Sequence, residues 1–403
     1  MLIREMIRNV YKECKGVPKS NCLTKEQRLS LQMDEFMNRR YEFRYNTQIG
    51  EVEYRERFSF QFYFHPIDKR AQNSIMLDAQ SEGIGVWDRD IDRYLHSNRV
   101  PIYNPLEEFL FHLPHWDGKD RIHALANRVP CKNPHWELLF HRWFLNMVSH
   151  WRGVDKMHAN NTSPILVGRQ GTHKSTFCRE MIPPALRAYY TDSIDFSHKR
   201  DAELYLNRFA LINIDEFDQI TLPQQGFLKH ILQKPVVNLR KPHGRSVLEL
   251  QRYASFIGTS NQKDLLTDPS GSRRFICIEV TGNIDTTQPI DYEQLYAQAM
   301  HEIHHGERYW FDSEDEQIMT ENNREFEQTP AMLQLFYQYF KTAQTKEEGE
   351  FLTPVEILNY LKKKSGMSLS DNKVYHFGRL LQKCGIPSKH TYKGTVYQVI
   401  KLS

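Results

Sequence analysis

The stretch with the clearest capacity for chemistry is Gly168-Arg169-Gln170-Gly171-Thr172-His173-Lys174-Ser175-Thr176. Its composition is typical of a loop in which backbone N–H groups and a helix N-terminus surround phosphates. In such a loop Lys174 would reach the β- and γ-phosphates of ATP, and the Ser175 hydroxyl would ligate Mg²⁺. The usual pattern is G-x-x-x-x-G-K-[ST], and His173 stands where its second glycine belongs. Gly171 restores part of the freedom that a close approach to phosphate needs.

Two carboxylates end an apolar run further along the chain. The run 209–214 (Phe-Ala-Leu-Ile-Asn-Ile) is followed directly by Asp215 and Glu216. Charged groups at the end of a buried strand need a cation or a cleft to receive them. We therefore expect Asp215 to hold Mg²⁺ together with Ser175, and Glu216 to polarise the attacking water.

Two later segments supply an amide and two guanidinium groups. The run 253–260 is followed by Asn261, whose side-chain amide can form a hydrogen bond with the γ-phosphate or the lytic water. Arg273 and Arg274 lie between a loop and the apolar run Phe275–Val280, which suits an arginine finger that reaches a neighbouring subunit's ATP. Spacing does not decide between the two arginines. The residue pattern of the loop alone could also arise by chance, as a turn before a surface lysine. Four strand-like runs with polar ends indicate a nucleotide site far more specifically.

A basic tip lies between two β-prone runs, 236–240 and 246–250. The charged or titratable residues of this predicted hairpin end are Arg240, Lys241, His243 and Arg245. Such a charge density around a Pro/Gly turn predicts contact with a phosphate backbone, and hence DNA binding. An exposed basic loop with no partner is the alternative interpretation.

The elements that must position these groups divide the 403-residue chain into five predicted regions. They are an N-terminal α+β region (1–102), a helical domain (103–160), a P-loop ATPase core (161–310), a helical and acidic connector (311–350) and a winged-helix-like domain (351–403). The last is predicted from two capped helices and a hairpin, which would grip duplex DNA or serve in oligomerisation or as a lid. In the first region, a hairpin in which arginines alternate with aromatics suits either nucleic acid or a solvated face.

Composition narrows the class of protein. Hydrophobic residues make up 40% and charged residues 26%, which is ordinary globular usage. No run of about 18 apolar residues occurs, and the N-terminus lacks the apolar core of a secretion signal, so we expect a cytoplasmic protein without a membrane partner. The six cysteines form no C-x-x-C pair, which predicts reduced thiols and no metal besides nucleotide-bound Mg²⁺. The formal charge of +3 neither demands nor excludes nucleic acid.

These motifs resemble the virulence-associated protein E family, whose ATPase core is similar to the superfamily 3 helicases of phages, plasmids and small DNA viruses. The resemblance runs from about Tyr103 to Val280. Besides the basic hairpin, it includes 103–105 (Tyr-Asn-Pro), 116–122 (Trp-Asp-Gly-Lys-Asp-Arg-Ile), 168–176, 214–216, 256–261 and 271–275. The first hundred residues match only loosely, and no primase signature is visible. His173 departs from the family's glycine, which bears on the catalytic rate more than on nucleotide binding.

The resemblance implies an α/β fold with a P-loop NTPase core of the AAA+/superfamily 3 type, a helical N-terminal region and a C-terminal winged-helix-like domain. It implies an ATP-dependent DNA helicase or translocase of a phage- or plasmid-like replication system. ATP and Mg²⁺ would bind between the subunits of a hexameric homo-oligomer, with single-stranded or forked DNA and a separate primase as partners. Two other functions stay open: a DNA-binding initiator or scaffold with ATP as its assembly switch, and an ATPase of a phage-defence complex.

Overall fold

The N-terminal part of the chain folds around a four-stranded sheet. The structure, a computed structural model, describes residues 23–153, 155, 157–239, 248–266, 269–328, 331–343, 349–366, 374–392 and 394–402. Its first elements are α1 (Lys25–Arg40), β1 (Tyr41–Asn46), β2 (Glu51–Glu56), β3 (His65–Pro66), α2 (Lys69–Ser81), α3 (Asp88–Leu95) and β4 (Ile102–Tyr103). Strands β1 and β2 pair antiparallel, which confirms the predicted hairpin. The helices cover this sheet with a core of their own, which includes Phe36, Val52 and Ile91.

The arginines of this hairpin pair with carboxylates. Arg44 Nε donates to Glu53 at 2.6 Å, and Arg55 and Arg57 both donate to Glu42, each at 2.6 Å. A nucleic-acid strand would have to displace these carboxylates to reach the guanidinium groups. The solvated-face interpretation of the hairpin therefore fits its ion pairs better than the nucleic-acid interpretation.

Three helices lead from this sheet to the centre of the molecule: α4 (Pro105–Phe111), α5 (Arg121–Ala126) and α6 (Trp136–Trp151). The predicted start of α4 is confirmed, because the Asn104 side chain accepts from two backbone N–H groups and Pro105 is the first helical residue. Helix α6 is buried around nearly its whole circumference, with Trp143 and Trp151 fully buried. Such a helix belongs to the interior of the fold.

A parallel five-stranded sheet forms the centre of the protein. This part of the chain contains β5 (Ser163–Val167), α7 (Lys174–Glu180), a 3₁₀ helix (Pro184–Tyr189), β6 (Tyr190–Thr191), α8 (Lys199–Arg208), β7 (Leu211–Ile214), a 3₁₀ helix (Phe217–Gln219), α9 (Leu222–Leu232), β8 (Val236–Leu239), β9 (Leu248–Gln251), β10 (Ser255–Ser260), a 3₁₀ helix (Pro269–Arg274) and β11 (Phe275–Glu279). The strand order is β11-β5-β10-β7-β6, and every neighbouring pair is parallel. The mixed α/β class expected from the sequence is thereby confirmed.

The strands of this sheet are buried on both faces. Ile165 and Val167 of β5 enter one hydrophobic cluster, whereas Leu166 between them enters the other. The same alternation divides Phe256 from Ile257 on β10. Because helices cover both faces, β5, β7, β10 and β11 are mostly apolar and almost entirely buried, with Asn213 as a buried polar exception inside β7.

The predicted basic hairpin is present at its base. Strands β8 and β9 pair antiparallel, with Leu239 opposite Leu248, in a sheet of their own. The predicted DNA-contacting residues Arg240, Lys241, His243 and Arg245 lie outside the described residues. Their proposed role therefore stays a prediction.

The rest of the chain adds helices beside the sheet and a separate C-terminal core. Its elements are α10 (Tyr292–His304), α11 (Ser313–Asn323), a 3₁₀ helix (Arg324–Phe326), α12 (Ala331–Tyr339), β12 (Phe340–Thr342), β13 (Glu350–Leu352), α13 (Pro354–Ser365), α14 (Val374–Lys383), β14 (Ser388–Thr391) and β15 (Gly394–Lys401). Strand β15 pairs with β12, β13 and β14, and Thr353 caps α13 as the sequence predicts. No helix of the described ranges combines the length and the apolarity needed to span a bilayer.

Candidate nucleotide-binding site

One edge of the central sheet collects the predicted site residues. Gly168 follows β5, Asp215 follows β7 and Asn261 follows β10. The carboxyl ends of parallel strands share an edge, where open α/β sheets bind their ligands. A cleft of about 290 Å³ opens here, and Asp215 and Asn261 line it, whereas Gly168 does not. Its lining consists of Gln170, Gly171, Thr172, His173, Lys174, Ser175, Thr176, Asp215, Glu216, Thr259 and Asn261.

The loop after β5 has a backbone that glycine fits best. A Cβ added at Gly168 would lie 3.0 Å from the carbonyl oxygen of Val280, so the loop leaves the sheet in close contact with its neighbour. Gly171 and His173 both have left-handed backbones, with φ of +84° and +65°. The usual glycine at the position of His173 is thus explained, because left-handed φ costs a residue with a side chain about 1–2 kcal/mol.

Lys174 is a buried cation held by backbone oxygens. Its side chain donates from Nζ to the carbonyls of Gly168 and Arg169, both at 2.8 Å, and to Asn261 Oδ1 at 3.3 Å. Burial lowers the pKa of the Lys174 ammonium, and the charge of Asp215 opposes that shift. No carboxylate of the described residues forms an ion pair with it, so its charge is available to an anion that enters the cleft.

Asp215 is surrounded by hydroxyl groups. Ser175 Oγ donates to its Oδ1 at 2.9 Å, and the Thr259 hydroxyl donates to the same oxygen. Hydroxyl and carboxylate oxygens are the ligands that Mg²⁺ prefers. Thr259 is a site residue that the sequence analysis missed. The available signal was its place near the carboxyl end of β10, two residues before Asn261.

The turn after Asp215 is fixed to the strand of Asn261. Glu216 lines the cleft and has a left-handed backbone with φ of +52°, unusual for a residue other than glycine. Asp218 Oδ1 accepts from Ser260 Oγ at 2.8 Å and from the Asn261 backbone N–H at 3.3 Å. Asp218 therefore couples the acidic turn to the amide, a function that the sequence did not reveal.

Arg273 and Arg274 do not line this cleft. They directly precede β11, which runs parallel to β5, and so they lie at the amino edge of the sheet, opposite the cleft. Arg273 Nη1 lies 2.7 Å from Glu316 of α11. A role for either arginine in phosphate chemistry would therefore require the cleft of another chain.

The cleft lies within a part of the chain that matches the model of a protein family. Residues 110–328, more than half of the chain, match the model of the virulence-associated protein E-like domain. The chain belongs to this family. Every residue that lines the cleft falls inside the matched region. Residues 329–399 match a second model, DUF3874, which is described as a domain of unknown function.

The solved structures to which this chain is similar include three of one protein. The apo C-terminal region of NrS-1 (residues 305–718) aligns over 92% of this chain and 98% of that chain, with 12% identity and a TM-score of 0.47. Two A-form apo structures of the same region are 11% identical, with TM-scores of 0.45 and 0.44. They cover 92% and 90% of this chain, and 99% and 96% of theirs. No curated protein matches this chain.

The virulence-associated protein E-like cleft has the groups that a nucleotide and its metal ion require. Lys174 offers a positive charge bound only by neutral oxygens. Ser175, Thr259 and Asp215 offer clustered oxygen ligands. The first N–H groups of α7 lack partners within the helix and face the same cleft. The donor set therefore fits a phosphate chain with Mg²⁺.

Proposed function

We propose that this chain is an ATP-dependent DNA helicase or translocase of a phage- or plasmid-like replication system, built on a P-loop NTPase core. The observation that carries the proposal is the meeting of Lys174, Ser175, Asp215, Glu216 and Asn261 in one cleft. The family resemblance supports it, since that resemblance implies an ATPase similar to superfamily 3 helicases.

Each group in the cleft has one task in ATP hydrolysis. ATP with Mg²⁺ supplies the phosphoanhydride bond and part of the charge that stabilises its cleavage. Lys174 would exchange its loop carbonyls for phosphate oxygens, and Ser175, Thr259 and Asp215 would hold the metal ion. Glu216 accepts a proton from the attacking water, while the Asn261 amide orients that water or the terminal phosphate.

The position of the two arginines supports a multi-chain motor. Arg273 and Arg274 lie at the sheet edge opposite their own cleft, which supports a role as fingers toward the ATP of a neighbouring subunit. A closed ring, which we propose to be a hexamer, would give every cleft such a neighbour. Single-stranded DNA would pass through the ring along the tip of the β8–β9 hairpin.

Two substitutions test the chemistry. Lys174→Ala is expected to weaken ATP binding about 100-fold, because it removes a charged hydrogen-bond donor from a buried site. Glu216→Gln is expected to keep ATP binding and to slow hydrolysis at least about 100-fold, as the loss of a general base does. The measurements are ATP affinity by equilibrium binding and phosphate release with and without single-stranded DNA.

The control for both is Lys132→Ala, which removes an exposed lysine outside the cleft. It is expected to leave ATP binding and hydrolysis unchanged. Native hydrolysis rates in both cleft variants would contradict the proposal. A strand-displacement assay on forked DNA then separates a motor from a scaffold, since a scaffold binds ATP and DNA and leaves the fork paired.

A further inference from the structure

The C-terminal unit carries a charge opposite to that of the remaining chain. Residues 349–403 contain nine Lys and Arg but only three Asp and Glu, a net charge of +6. The other 348 residues contain 44 basic and 47 acidic side chains, a net charge of −3. Such a segregation of positive charge into one small unit is typical of a surface that meets a polyanion.

Glu350 and Glu356, the carboxylates described in this unit, both accept hydrogen bonds from other residues of the unit. Glu350 accepts from Lys401 Nζ at 2.7 Å. Glu356 accepts from the backbone N–H and the hydroxyl of Thr353, at 2.7 and 2.9 Å, in the cap of α13. Within the described part of the unit, Arg379 on α14 has no carboxylate at ion-pair distance.

Helix α14 turns one face inward and presents polar and aromatic groups on the other. Phe377 and Leu381 are fully buried in the C-terminal core. Tyr375, Arg379 and Gln382, spaced as one helix face, are exposed, and Tyr375 is 72% exposed. The Arg379 guanidinium stacks 5.0 Å from the centre of the Tyr375 ring. The outer face thus presents a guanidinium, an amide and a phenol group on one helix.

The β14–β15 hairpin extends this face. Tyr397 of β15 donates its hydroxyl to the carbonyl of Gly378 at 2.7 Å, so its side of the sheet is the side that α14 covers. Ser388 pairs with Tyr397, and His390 lies two residues further along β14, so the exposed His390 is on the same side. We call the exposed groups Tyr375, Arg379, Gln382 and His390 the α14 surface.

We propose that the α14 surface binds duplex DNA, with α14 in the major groove and the hairpin against the adjacent phosphate backbone. An α-helix with its side chains is about 10–12 Å wide, which matches the major groove. Arg and Gln are side chains that donate to base edges and phosphates. This site goes beyond the proposed motor, because it needs neither the nucleotide cleft nor a single strand.

The same unit offers a matched control in Lys389. Lys389 pairs with Val396, so its side chain lies on the face of the sheet that α14 does not cover. Its ammonium lies 3.4 Å from the ring centre of Phe351, across that face. Lys389→Ala therefore removes the same unit of charge as Arg379→Ala, from the opposite side of the same small unit.

The experiment measures binding of the full chain to a labelled 20-base-pair duplex by fluorescence anisotropy at several salt concentrations. Arg379→Ala is expected to weaken binding about tenfold and to reduce the salt slope by about 1. Lys389→Ala is expected to change the affinity less than about twofold, because it lies away from the contact. Far-UV circular dichroism verifies that both variants are folded, and their ATP hydrolysis is expected to equal that of the native chain.

Three outcomes would overturn the assignment. If Arg379→Ala binds the duplex as tightly as the native chain does, α14 does not contact the DNA. Equal losses in the two variants would show attraction to the charge of the whole unit without a docking face. Preferential binding to a 20-nucleotide single strand, weakened by Arg379→Ala, would replace the duplex with a single strand. Because ATP hydrolysis is measured separately, failure of the motor proposal and failure of this site are distinguishable.

Discussion

Two buried cations of the central sheet have the same charge and opposite surroundings. Lys174 is 6% exposed and Arg252 is fully buried, and neither forms an ion pair with a carboxylate among the described residues. Lys174 donates to loop carbonyls and faces the cleft. Arg252 lies at the other edge of the sheet, where its guanidinium is enclosed by backbone carbonyls alone. Those carbonyls belong to Asn160, Ile231, Leu232, Lys234 and Ala254, at 2.7 to 3.4 Å.

The difference separates a cation beside a cleft, which we propose to bind a phosphate, from a cation with a structural role. Arg252 connects the end of α9 to the segments that enter β5 and β10, and its side chain is fully buried. Burial lowers the pKa of Arg252 to about 9, so the side chain stays charged at neutral pH. Lys174 lines a cleft, from which we propose that an anion replaces its carbonyls, whereas the Arg252 side chain is fully buried.

The largest effect on stability is expected from Arg252→Met. The substitution leaves several buried carbonyls without a donor, and the free energy of unfolding should fall by more than about 3 kcal/mol. Urea unfolding followed by circular dichroism measures the loss, with Arg93→Met, an exposed arginine on α3, as the control. A loss below about 1 kcal/mol would show that water or a shifted backbone satisfies these carbonyls.

A second effect concerns His150, which lies beside Arg252. Its Nε2 accepts from the Asn160 backbone N–H at 2.8 Å. Burial, and then the charge of Arg252, hold the pKa of His150 at about 3, against 6.5 in the unfolded chain. The folded state therefore keeps this imidazole neutral, and the stability it contributes is full above pH 6.5 and is lost as the pH falls toward 3.

His150→Gln should remove that acid sensitivity. Between pH 7 and pH 5 the native chain should lose about 2 kcal/mol more unfolding free energy than the variant does. The measurement is a series of urea titrations across this pH range, with the exposed His96→Gln as control. Parallel pH profiles for the native chain and His150→Gln would mean that the imidazole takes up its proton over the same pH range in the folded and unfolded states.

A smaller effect on stability is expected from Lys174→Met. Since the Gly168 and Arg169 carbonyls border an open cleft, water can replace the lost ammonium, and the free energy of unfolding should change by less than about 1 kcal/mol. ATP binding should weaken about 100-fold in the same sample, as for Lys174→Ala. A destabilisation as large as that of Arg252→Met would assign Lys174 to the structural class instead.

The smallest effect is expected from His173→Gly. Glycine relieves the left-handed backbone and adds entropy to the unfolded chain, so the net gain should stay below about 1 kcal/mol. His173→Val should instead destabilise the loop by about 1–2 kcal/mol, because a branched side chain fits this backbone poorly. Thermal unfolding of both variants and of the native chain measures these changes. A His173→Val variant as stable as the native chain would show that the backbone at residue 173 is not strained.

The sequence predicts the cleft well because its groups stand at the ends of apolar strands. Lys174, Asp215 and Asn261 follow three such runs, and parallel pairing brings them together. The apolar runs do not predict the order of the strands in the sheet. They also do not predict the hydrogen bond that the Thr259 hydroxyl donates to Asp215. Arg252 was missed because it stands between two strands like a surface arginine. Its carbonyl partners lie as far away in the chain as Asn160.

Arg273 and Arg274 stand at the far edge of the sheet from the cleft that would need them. If they complete a neighbour's cleft, turnover per chain must rise with protein concentration until association is saturated. Two inactive preparations, one altered at Lys174 and the other at both arginines, should then regain activity on mixing. In a mixed assembly, an intact cleft from one chain would face intact fingers from the other.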